Sequence, residues 1–571
     1  MDLLLAHGDD GSPVLDRVAD PSAAAASAHP VARRDEQFLS DITADANDLV
    51  RQGWAIVAPA GPQGAHLEAL VRGLVRARAE EQQADVIAIR VPSGLDTAAA
   101  IAWKKDAYPA LYGDDESRRP RYLLILGDLD QVSLDTQQVL AQDGLTGRLA
   151  CTSDDGYGAY VDKVLASQRA APERPRAVFY TVHDGTGATA AGHARLIQPC
   201  HERCARTARD KPNAFPASVE AHGAPAPDPG ELLGLVAARQ PSVLLSMSHG
   251  LGPPRRRPWS PAEARTHQGA MSFGSEGAIT ADDLARAPFL PGGVWIYFAC
   301  LGAGTPRASA YRHWLEMLAA QGMELGPAGA ALRELDGGFV SGPGKAALAN
   351  PDGPLAVLGH FDLAWSYSYE ELRVGPAGDP RRVTGSNRSL NFFQLMSKLV
   401  AGERAGAAAL ALRLQLDAVG AELTAHYDRC KRAGSVEGAA AADRLALGHL
   451  WMLHQDLLGY ALLGDPAVRL PPASGERPRA SPSEPSAGPA DPAHPVPGGR
   501  GEGHRDVDAG VLDRLERAVL AVASGDSPGA IAVQLGVPRS ELVEAAEVYR
   551  DAGRAALARL LQRRDHDGGS R

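Results

Sequence analysis

Short runs of apolar residues alternate with helix-like segments over the first third of the chain. Apolar runs of strand length occupy residues 54–58, 85–89 and 122–126, and residues 66–82 have a helical pattern between the first two. Strands that alternate with helices are typical of an α/β unit with a parallel sheet. The pattern predicts a non-catalytic α/β subdomain over residues 36–170.

A second series of apolar runs begins after a break rich in proline and arginine at residues 171–176. The runs of strand length in this series occupy residues 177–182, 243–247, 294–299 and 355–358. Runs that are apolar at nearly every position are typical of strands that are covered on both faces. The prediction is a second, larger α/β domain over residues 171–472.

Residues 1–35 and 473–505 lack hydrophobic periodicity. The first stretch is rich in Ala, Ser, Asp and Pro, and the second is dominated by Pro, Gly, Ser, Ala and charged residues. Such compositions bury too little apolar surface to offset the entropy lost when a chain becomes ordered. We therefore expect a disordered N-terminal arm over residues 1–35 and a disordered linker over residues 473–505.

Residues 506–571 contain a short set of helical patterns and are predicted to form a small helical module. Within this module, residues 530–542 resemble a helix-turn-helix with Gly536 at the turn. A DNA-binding module is expected to be basic, but residues 506–571 hold 9 Arg and no Lys against 11 Asp plus Glu, a net charge of -2. This balance favours docking to a regulatory protein, and DNA binding stays open as the alternative.

The overall charge and the cysteine content bear on partners and compartment. A formal net charge of -11 and a pI near 5.9 argue against nucleic acid as the main partner and favour protein or peptide partners. Five cysteines are an odd and sparse set, which favours a reducing compartment over a disulfide framework. The N-terminus lacks the positive charge of a signal peptide, and no apolar stretch reaches the roughly 18 residues of a membrane span. We therefore expect a cytoplasmic protein with no membrane partner.

His249 and Cys300 each end a strand-like apolar run, and each is followed at once by small residues. A nucleophile and a base at the ends of neighbouring strands are what acyl transfer by a thiol requires. The backbone N–H groups of Gly250 and Cys300 are the natural donors to the oxyanion that such a reaction forms. The alternative interpretation is that Cys300 is a small buried apolar residue and His249 a hydrogen-bonded loop histidine.

The order of these motifs resembles the caspase-like cysteine peptidases, in particular the gingipain-like branch and the related CHAT domains. The resemblance covers roughly residues 40–470 and includes the strand ends 248–250 and 299–304, where those families place their catalytic His and Cys. Further similar segments are residues 122–128, 147–149, 161–163, 358–365 and 463–466. The resemblance implies a caspase-like αβα sandwich, preceded by an α/β subdomain without a dyad of its own. It also implies that Cys300 is the nucleophile and His249 its base.

By position in that resemblance, the loop of residues 183–185 and the segment of residues 362–369 would border the pocket for the residue before the scissile bond. An acid at Asp184 would favour a basic side chain there, and Trp365 would supply an apolar wall. The alternatives are a helix or turn cap for Asp184 and core packing for Trp365. The sequence therefore predicts these two as substrate-binding residues without predicting a cleavage preference.

Other short patterns predict no cofactor. Cys200, His201 and Cys204 supply at most three ligands, so we expect no metal site. The basic run at residues 253–258 is interpreted as a solvated loop, with contact to an acidic partner as the alternative. A Gly-x-Ser-x-Gly match at residues 525–529 follows a helical run instead of a strand, so it predicts a turn and not a serine hydrolase.

The function predicted from the sequence is that of a cytoplasmic cysteine endopeptidase. Its His249–Cys300 dyad would cleave protein substrates, under the control of a partner bound through residues 506–571. Two alternatives stay open. One is a caspase-like scaffold with an inactive dyad, which acts by interaction, and the other is a DNA-associated regulator, which only the helix-turn-helix-like segment supports.

Overall fold

The computed structural model describes residues 5–13, 45–111, 119–223, 227–255, 257, 259–320, 335–370, 372–374, 380–382, 388–432 and 441–471. The predicted linker over residues 473–505 and the predicted helical module over residues 506–571 lie outside these ranges. In the part of the chain that the structure describes, no helix has the length and apolar character needed to cross a membrane.

The elements of the described residues are numbered in chain order. The strands are β1 (Leu5–His7), β2 (Trp54–Pro59), β3 (Ile87–Val91), β4 (Tyr122–Leu126), β5 (Leu145–Leu149), β6 (Arg176–Thr181), β7 (Ser218–His222), β8 (Ser242–Met247), β9 (His249–Gly252), β10 (Met271–Ser272), β11 (Ala278–Ile279), β12 (Val294–Phe298), β13 (Gly304–Thr305), β14 (Phe339–Val340), β15 (Ala356–His360), β16 (Leu372–Val374), β17 (Pro380–Arg382) and β18 (Tyr460–Gly464). The α-helices are α1 (Leu49–Gln52), α2 (Pro62–Leu70), α3 (Arg72–Gln82), α4 (Thr97–Asp106), α5 (Leu134–Leu140), α6 (Asp154–Gln168), α7 (Gly187–Gly192), α8 (Gln198–Asp210), α9 (Pro229–Val236), α10 (Pro261–His267), α11 (Ala281–Arg286), α12 (Arg312–Ala320), α13 (Gly342–Ala349), α14 (Ser389–Val400), α15 (Ala405–Arg432) and α16 (Ala441–Leu458).

Ten of these strands form one sheet in the order β3-β2-β4-β5-β18-β15-β12-β8-β6-β7. Every neighbouring pair in this sheet is parallel except β15 and β18, which run antiparallel. Strand β18 lies between β5 and β15 and joins the two halves of the sheet. The regions predicted as separate units, residues 36–170 and 171–472, therefore contribute their strands to a single sheet.

Helices cover both faces of this sheet. Along β2, Trp54 and Ile56 face a core that includes Leu67 of α2, whereas Ala55 and Val57 face a second core. Successive side chains of a strand point to opposite faces, so both faces of β2 are buried. The predicted α/β class, with helix layers on the two sides of a mainly parallel sheet, is confirmed.

The apolar runs in the sequence located the central strands correctly. All seven predicted runs overlap observed strands, and their ends differ by up to two residues; the observed strands are β2, β3, β4, β6, β8, β12 and β15. The inner strands β8, β12 and β15 are buried at every position. Burial on both faces explains why their sequences are continuously apolar instead of alternating.

A second, smaller sheet has the order β1-β9-β10-β11. Strand β1 runs parallel to β9, with Leu5 opposite Gly250, and Leu5 is buried. Residues 5–13 therefore differ from the predicted disordered arm, because pairing with β9 and burial of apolar side chains offset the entropy of ordering. Residues 14–35 of that arm lie outside the described residues.

Candidate active site

His249 and Cys300 lie at the same edge of the central sheet. Strands β8 and β12 pair in parallel, with Met247 opposite Phe298. His249 lies two residues after Met247, and Cys300 lies two residues after Phe298. Because parallel strands carry their carboxyl ends to one edge, the sheet brings these two residues to neighbouring positions. The structure thus places together the two residues that the sequence predicted as a dyad.

Gly250 allows the backbone after His249 to pass close to Cys300. A Cβ atom on Gly250 would lie 1.9 Å from the carbonyl oxygen of Cys300, so a larger residue would not fit without backbone movement. Gly250 is also paired across the small sheet, with Leu5 on one side and Met271 on the other. The oxyanion role of the Gly250 and Cys300 N–H groups stays a prediction.

The thiol of Cys300 is fully buried and faces the backbone of Ala364. The N–H of Ala364 donates to Sγ at 3.2 Å, and the thiol donates to the Ala364 carbonyl at 3.5 Å. The next residue, Leu301, has a left-handed backbone with φ of 60°, and its N–H donates to the carbonyl of Asp362 at 2.8 Å. Cys300 is therefore enclosed by the segment that follows β15.

The imidazole of His249 is held through Nε2. The hydroxyl of Thr186 lies 3.0 Å from Nε2, and Oδ2 of Asp184 lies 3.7 Å from the same atom. Both His249 and Asp184 are buried, with side chains 0% and 1% exposed. The carboxylate of Asp184 therefore lies beside the imidazole, and Thr186 contacts both groups.

Asp184 is fixed by the turn that leads into α7. Its Oδ1 accepts hydrogen bonds from the N–H of Thr186 at 3.1 Å and from the hydroxyls of Thr186 at 2.8 Å and Thr189 at 2.7 Å. Thr186 is the N-cap of α7. These contacts match the alternative prediction that Asp184 caps a turn. They also hold Asp184 beside His249.

Trp365 lies among aromatic side chains. It is fully buried, and its ring centroid lies 5.6 Å from that of Tyr311 and 5.1 Å from that of Trp314. These contacts correspond to the core-packing alternative. The substrate-binding roles of Asp184 and Trp365 stay predictions, since in this structure both side chains face other parts of the chain.

Asp362 is a buried acid next to the segment that encloses Cys300. Burial raises the pKa of Asp362 above its usual range, against the hydrogen bonds from the Ser309 hydroxyl and from the N–H groups of Ala310 and Leu363. Its backbone is left-handed, with φ of 76°. Leu301 and Asp362 are two of the four non-glycine residues with positive φ among the described residues, and they bond to each other.

Thr186 contributes to the site but was not identified from the sequence, whereas Asp362 and Ala364 were predicted only as part of the segment 362–369 that would border the substrate pocket. The pattern Asp184-x-Thr186-x-x-Thr189 is the one available signal, because Asp and Thr at these spacings favour a capped turn. Ala364 acts through its backbone, for which a sequence carries no signal. These contacts join residues that are 60 or more positions apart in the sequence, such as Thr186 with His249 and Cys300 with Ala364.

Cys200 and Cys204 lie on the buried face of α8. Within the described ranges, no group of three or more His, Cys, Asp or Glu side chains is arranged to hold a metal ion.

Three solved structures are similar to this chain at low sequence identity. A structure described as that of a protease is 14% identical, covers 74% of this chain and 80% of its own, and has a TM-score of 0.41. The Arg-specific cysteine proteinase gingipain R is 10% identical, with coverage of 74% and 78% and a TM-score of 0.41. A complex of the Porphyromonas gingivalis RgpB pro- and mature domains is 10% identical, with coverage of 73% and 80% and a TM-score of 0.40. No protein-family model matches the sequence, and no curated protein is significantly similar to it.

Proposed function

We propose that this chain is a cysteine endopeptidase with Cys300 as the nucleophile and His249 as its base. The observation that carries the proposal is the arrangement of His249, whose Nε2 is held by Thr186 and Asp184 at the strand end beside that of Cys300. A histidine with one ring nitrogen fixed in this way keeps one tautomer and one orientation. Both properties are needed for proton transfer with a neighbouring thiol.

The hydrogen bonds around Thr186 favour one tautomer of His249. The single hydroxyl proton of Thr186 is donated to Oδ1 of Asp184, so its oxygen accepts the proton on Nε2 of His249. Nδ1 then carries the lone pair that acts as the base. The negative charge of Asp184 stabilises the imidazolium that forms when Nδ1 takes up a proton.

The reaction follows from these roles. The proton of the Cys300 thiol passes to Nδ1 of His249, sulfur bonds to the peptide carbonyl carbon, and the carbonyl oxygen takes the negative charge. When the oxyanion collapses, the C–N bond breaks and His249 gives its proton to the leaving amine. Water then attacks the thioester carbonyl and gives a proton to His249. When this second oxyanion collapses, the C–S bond breaks, the carboxylic acid leaves, and His249 returns the proton to the sulfur of Cys300.

A scaffold with an inactive dyad is the second candidate, and the burial of Cys300 favours it. The thiol is 0% exposed and hydrogen-bonds to the backbone N–H and carbonyl of Ala364. A thiol that stays enclosed cannot reach a peptide carbonyl. The two candidates therefore differ in whether Cys300 ever reacts with a peptide.

A library of peptidyl acyloxymethyl ketones, with adducts located by mass spectrometry, separates the two candidates. The proposal expects adducts on Cys300 in the wild type and none in Cys300→Ala, with a lower rate in His249→Ala. Cys430→Ala is the matched control, because Cys430 is a buried cysteine of α15. Equal labelling of Cys300 in the wild type and His249→Ala, with no peptide hydrolysis, would support the scaffold.

We further propose a cytoplasmic setting with control by a regulatory protein that binds residues 506–571. The net charge of -11 and the acidic balance of residues 506–571 support a protein partner over nucleic acid. The expected result is that cell extract stimulates peptide hydrolysis and that Gly536→Pro abolishes the stimulation. Equal stimulation of both proteins would contradict this assignment.

A further inference from the structure

The segment of residues 361–370 follows β15 directly and covers the thiol of Cys300; we call this segment the cap. Its residue Ala364 approaches Sγ with both backbone polar atoms, N at 3.2 Å and O at 3.5 Å. A substrate carbonyl must come within roughly 3–3.5 Å of the attacking atom. The cap therefore occupies the space that a substrate needs, and Cys300 is 0% exposed beneath it.

Asp456 of α16 anchors the cap. Its Oδ1 accepts the N–H of Trp365 at 2.8 Å, and its Oδ2 accepts the N–H of Ser368 at 2.8 Å. Its carbonyl oxygen lies 2.8 Å from Nε2 of His360, the last residue of β15. Asp456 is fully buried, so a single carboxylate fixes the residue next to Ala364 and one further along the cap.

The far end of the cap is held from outside by two arginines. Arg388 donates to the carbonyl of Tyr367 at 3.0 Å and to that of Glu370 at 2.7 Å. Arg195 forms an ion pair with the carboxylate of Glu370. Both arginines are partly exposed, whereas the carboxylate of Asp456 and the two N–H groups that it accepts are buried, so Asp456 is the stronger anchor.

The start of the cap has a strained backbone. Asp362 and Leu301 have φ values of 76° and 60°, and the Leu301 N–H donates to the Asp362 carbonyl. Left-handed conformations are unfavourable for residues with a side chain and persist where surrounding contacts enforce them. The strain therefore lies at the two chain segments that enclose Cys300.

We propose that the cap holds the peptidase in a latent state and that its release from Asp456 exposes Cys300 to substrate. This inference rests on the proposed peptidase function. It assigns Asp456 as a regulatory residue that acts through its hydrogen bonds with Trp365 and Ser368. Access to the thiol then depends on how firmly a carboxylate on α16 holds Trp365 and Ser368.

Alkylation of the native full-length chain by iodoacetamide, followed by mass spectrometry at each cysteine, tests the proposal. Asp456→Asn keeps the side-chain size but removes the charged acceptor, so labelling of Cys300 is expected to be faster by about tenfold or more. Cys200 and Cys204 are buried in α8 and serve as references within the same molecule, with unchanged rates.

Asp465→Asn is the matched control. Asp465 is also fully buried and accepts hydrogen bonds, from the Trp54 indole at 2.9 Å and from Arg78, but it does not contact the cap. Faster labelling of Cys300 in Asp456→Asn alone supports the proposal. Equal acceleration at Cys300 in both variants, or acceleration at Cys200 in Asp456→Asn, would show general destabilisation and overturn it. If Asp456→Asn does not fold, Arg388→Met is expected to accelerate labelling of Cys300 in the same selective way.

Peptide hydrolysis by the same variants separates the cap from the peptidase function. If Asp456→Asn is alkylated faster at Cys300 and also hydrolyses peptides faster, the cap and the peptidase function are both supported. Faster alkylation without any hydrolysis supports the cap and overturns the peptidase function. Unchanged alkylation of Cys300 in the two cap variants overturns the cap, whatever the rate of hydrolysis.

Discussion

The hydroxyl of Thr186 lies 3.0 Å from Nε2 of His249 and connects this histidine to the carboxylate of Asp184. The contact joins the turn before α7 to the end of β8, two parts of the chain 63 residues apart. It holds the imidazole of His249 with Nε2 3.7 Å from Oδ2 of Asp184. The threonine hydroxyl is therefore a positioning group for the proposed base.

Thr186→Val removes the hydroxyl and keeps the shape of the side chain. We expect kcat/KM for peptide hydrolysis to fall by about tenfold or more, because a general base that loses its orientation loses part of its catalytic contribution. Thr186→Ser restores the hydroxyl and is expected to retain most of the activity. Equal activity of the valine and serine variants, measured at equal folded fraction by circular dichroism, would contradict the role of Thr186.

Gly250→Ala places a methyl group against the backbone of Cys300. The added Cβ would lie 1.9 Å from the Cys300 carbonyl oxygen, so the strand end must shift. We expect a loss of about 1–3 kcal/mol in the free energy of unfolding, together with a loss of peptidase activity. Gly234→Ala in α9 is the control, since its Cβ would meet nothing within 4 Å. Equal urea unfolding midpoints for the two variants would be inconsistent with the close approach at Gly250.

His360→Gln tests the pH dependence of the contacts beneath the cap. Burial disfavours the charged imidazole, but the hydrogen bonds and charge of Asp456 outweigh this effect and raise the pKa of His360. The other groups facing the ring are the Asp362 carbonyl, 3.3 Å from Nδ1, and the Tyr460 ring, with centroids 5.2 Å apart. The carboxylate of Asp362 also favours the charged ring.

Because the folded pKa of His360 lies above the unfolded value of about 6.5, its stabilisation is fully present below that pH. It is lost as the pH rises through the folded pKa. Urea unfolding is therefore expected to show a larger free-energy difference between wild type and His360→Gln at about pH 6 than at about pH 9. A difference that stays constant or grows with pH would exclude a charged His360.

Lys163→Met tests the contact between α6 and the C-terminal end of α13. The ammonium group of Lys163 is buried and donates to the carbonyls of Leu348 at 2.6 Å and Asn350 at 2.7 Å. Methionine leaves these carbonyls without that donor, so we expect a loss of about 1–3 kcal/mol in the free energy of unfolding. The measurement is urea denaturation. Lys105 is exposed, so Lys105→Met is the control and is expected to change the free energy of unfolding little. A midpoint equal to that of wild type would show that the carbonyls find other donors.

The central strands could be predicted because their information is local. Buried parallel strands such as β8 and β12 are continuously apolar, and their ends carry His249 and Cys300. The insertion of β18 between β5 and β15 and the pairing of β1 with β9 depend on partners that are distant in sequence. Neither short strand carries a pattern that specifies its partner, so the continuity of the sheet was missed.

The candidate dyad could be predicted from residue type and strand position, and the sequence also placed residues 183–185 and 362–369 at the site, but the individual contacts could not be predicted. The contact of Cys300 with Ala364 uses backbone atoms, which every residue has. The anchoring role of Asp456 depends on where α16 packs, and its sequence neighbourhood has no distinctive pattern. The positions of His249 and Cys300 near strand ends were therefore visible in the sequence, whereas the contacts that bury the thiol were not.

The pH profile of Cys300 alkylation in the full-length wild type and in His249→Ala tests the central claim most directly. Each rate is measured at residue 300 by mass spectrometry, so that slow labelling is still assigned to one thiol. If His249 takes the proton of Cys300, the reaction in the wild type persists to lower pH, and His249→Ala moves the midpoint of the profile to higher pH. The same midpoint in both proteins would contradict a His249–Cys300 dyad.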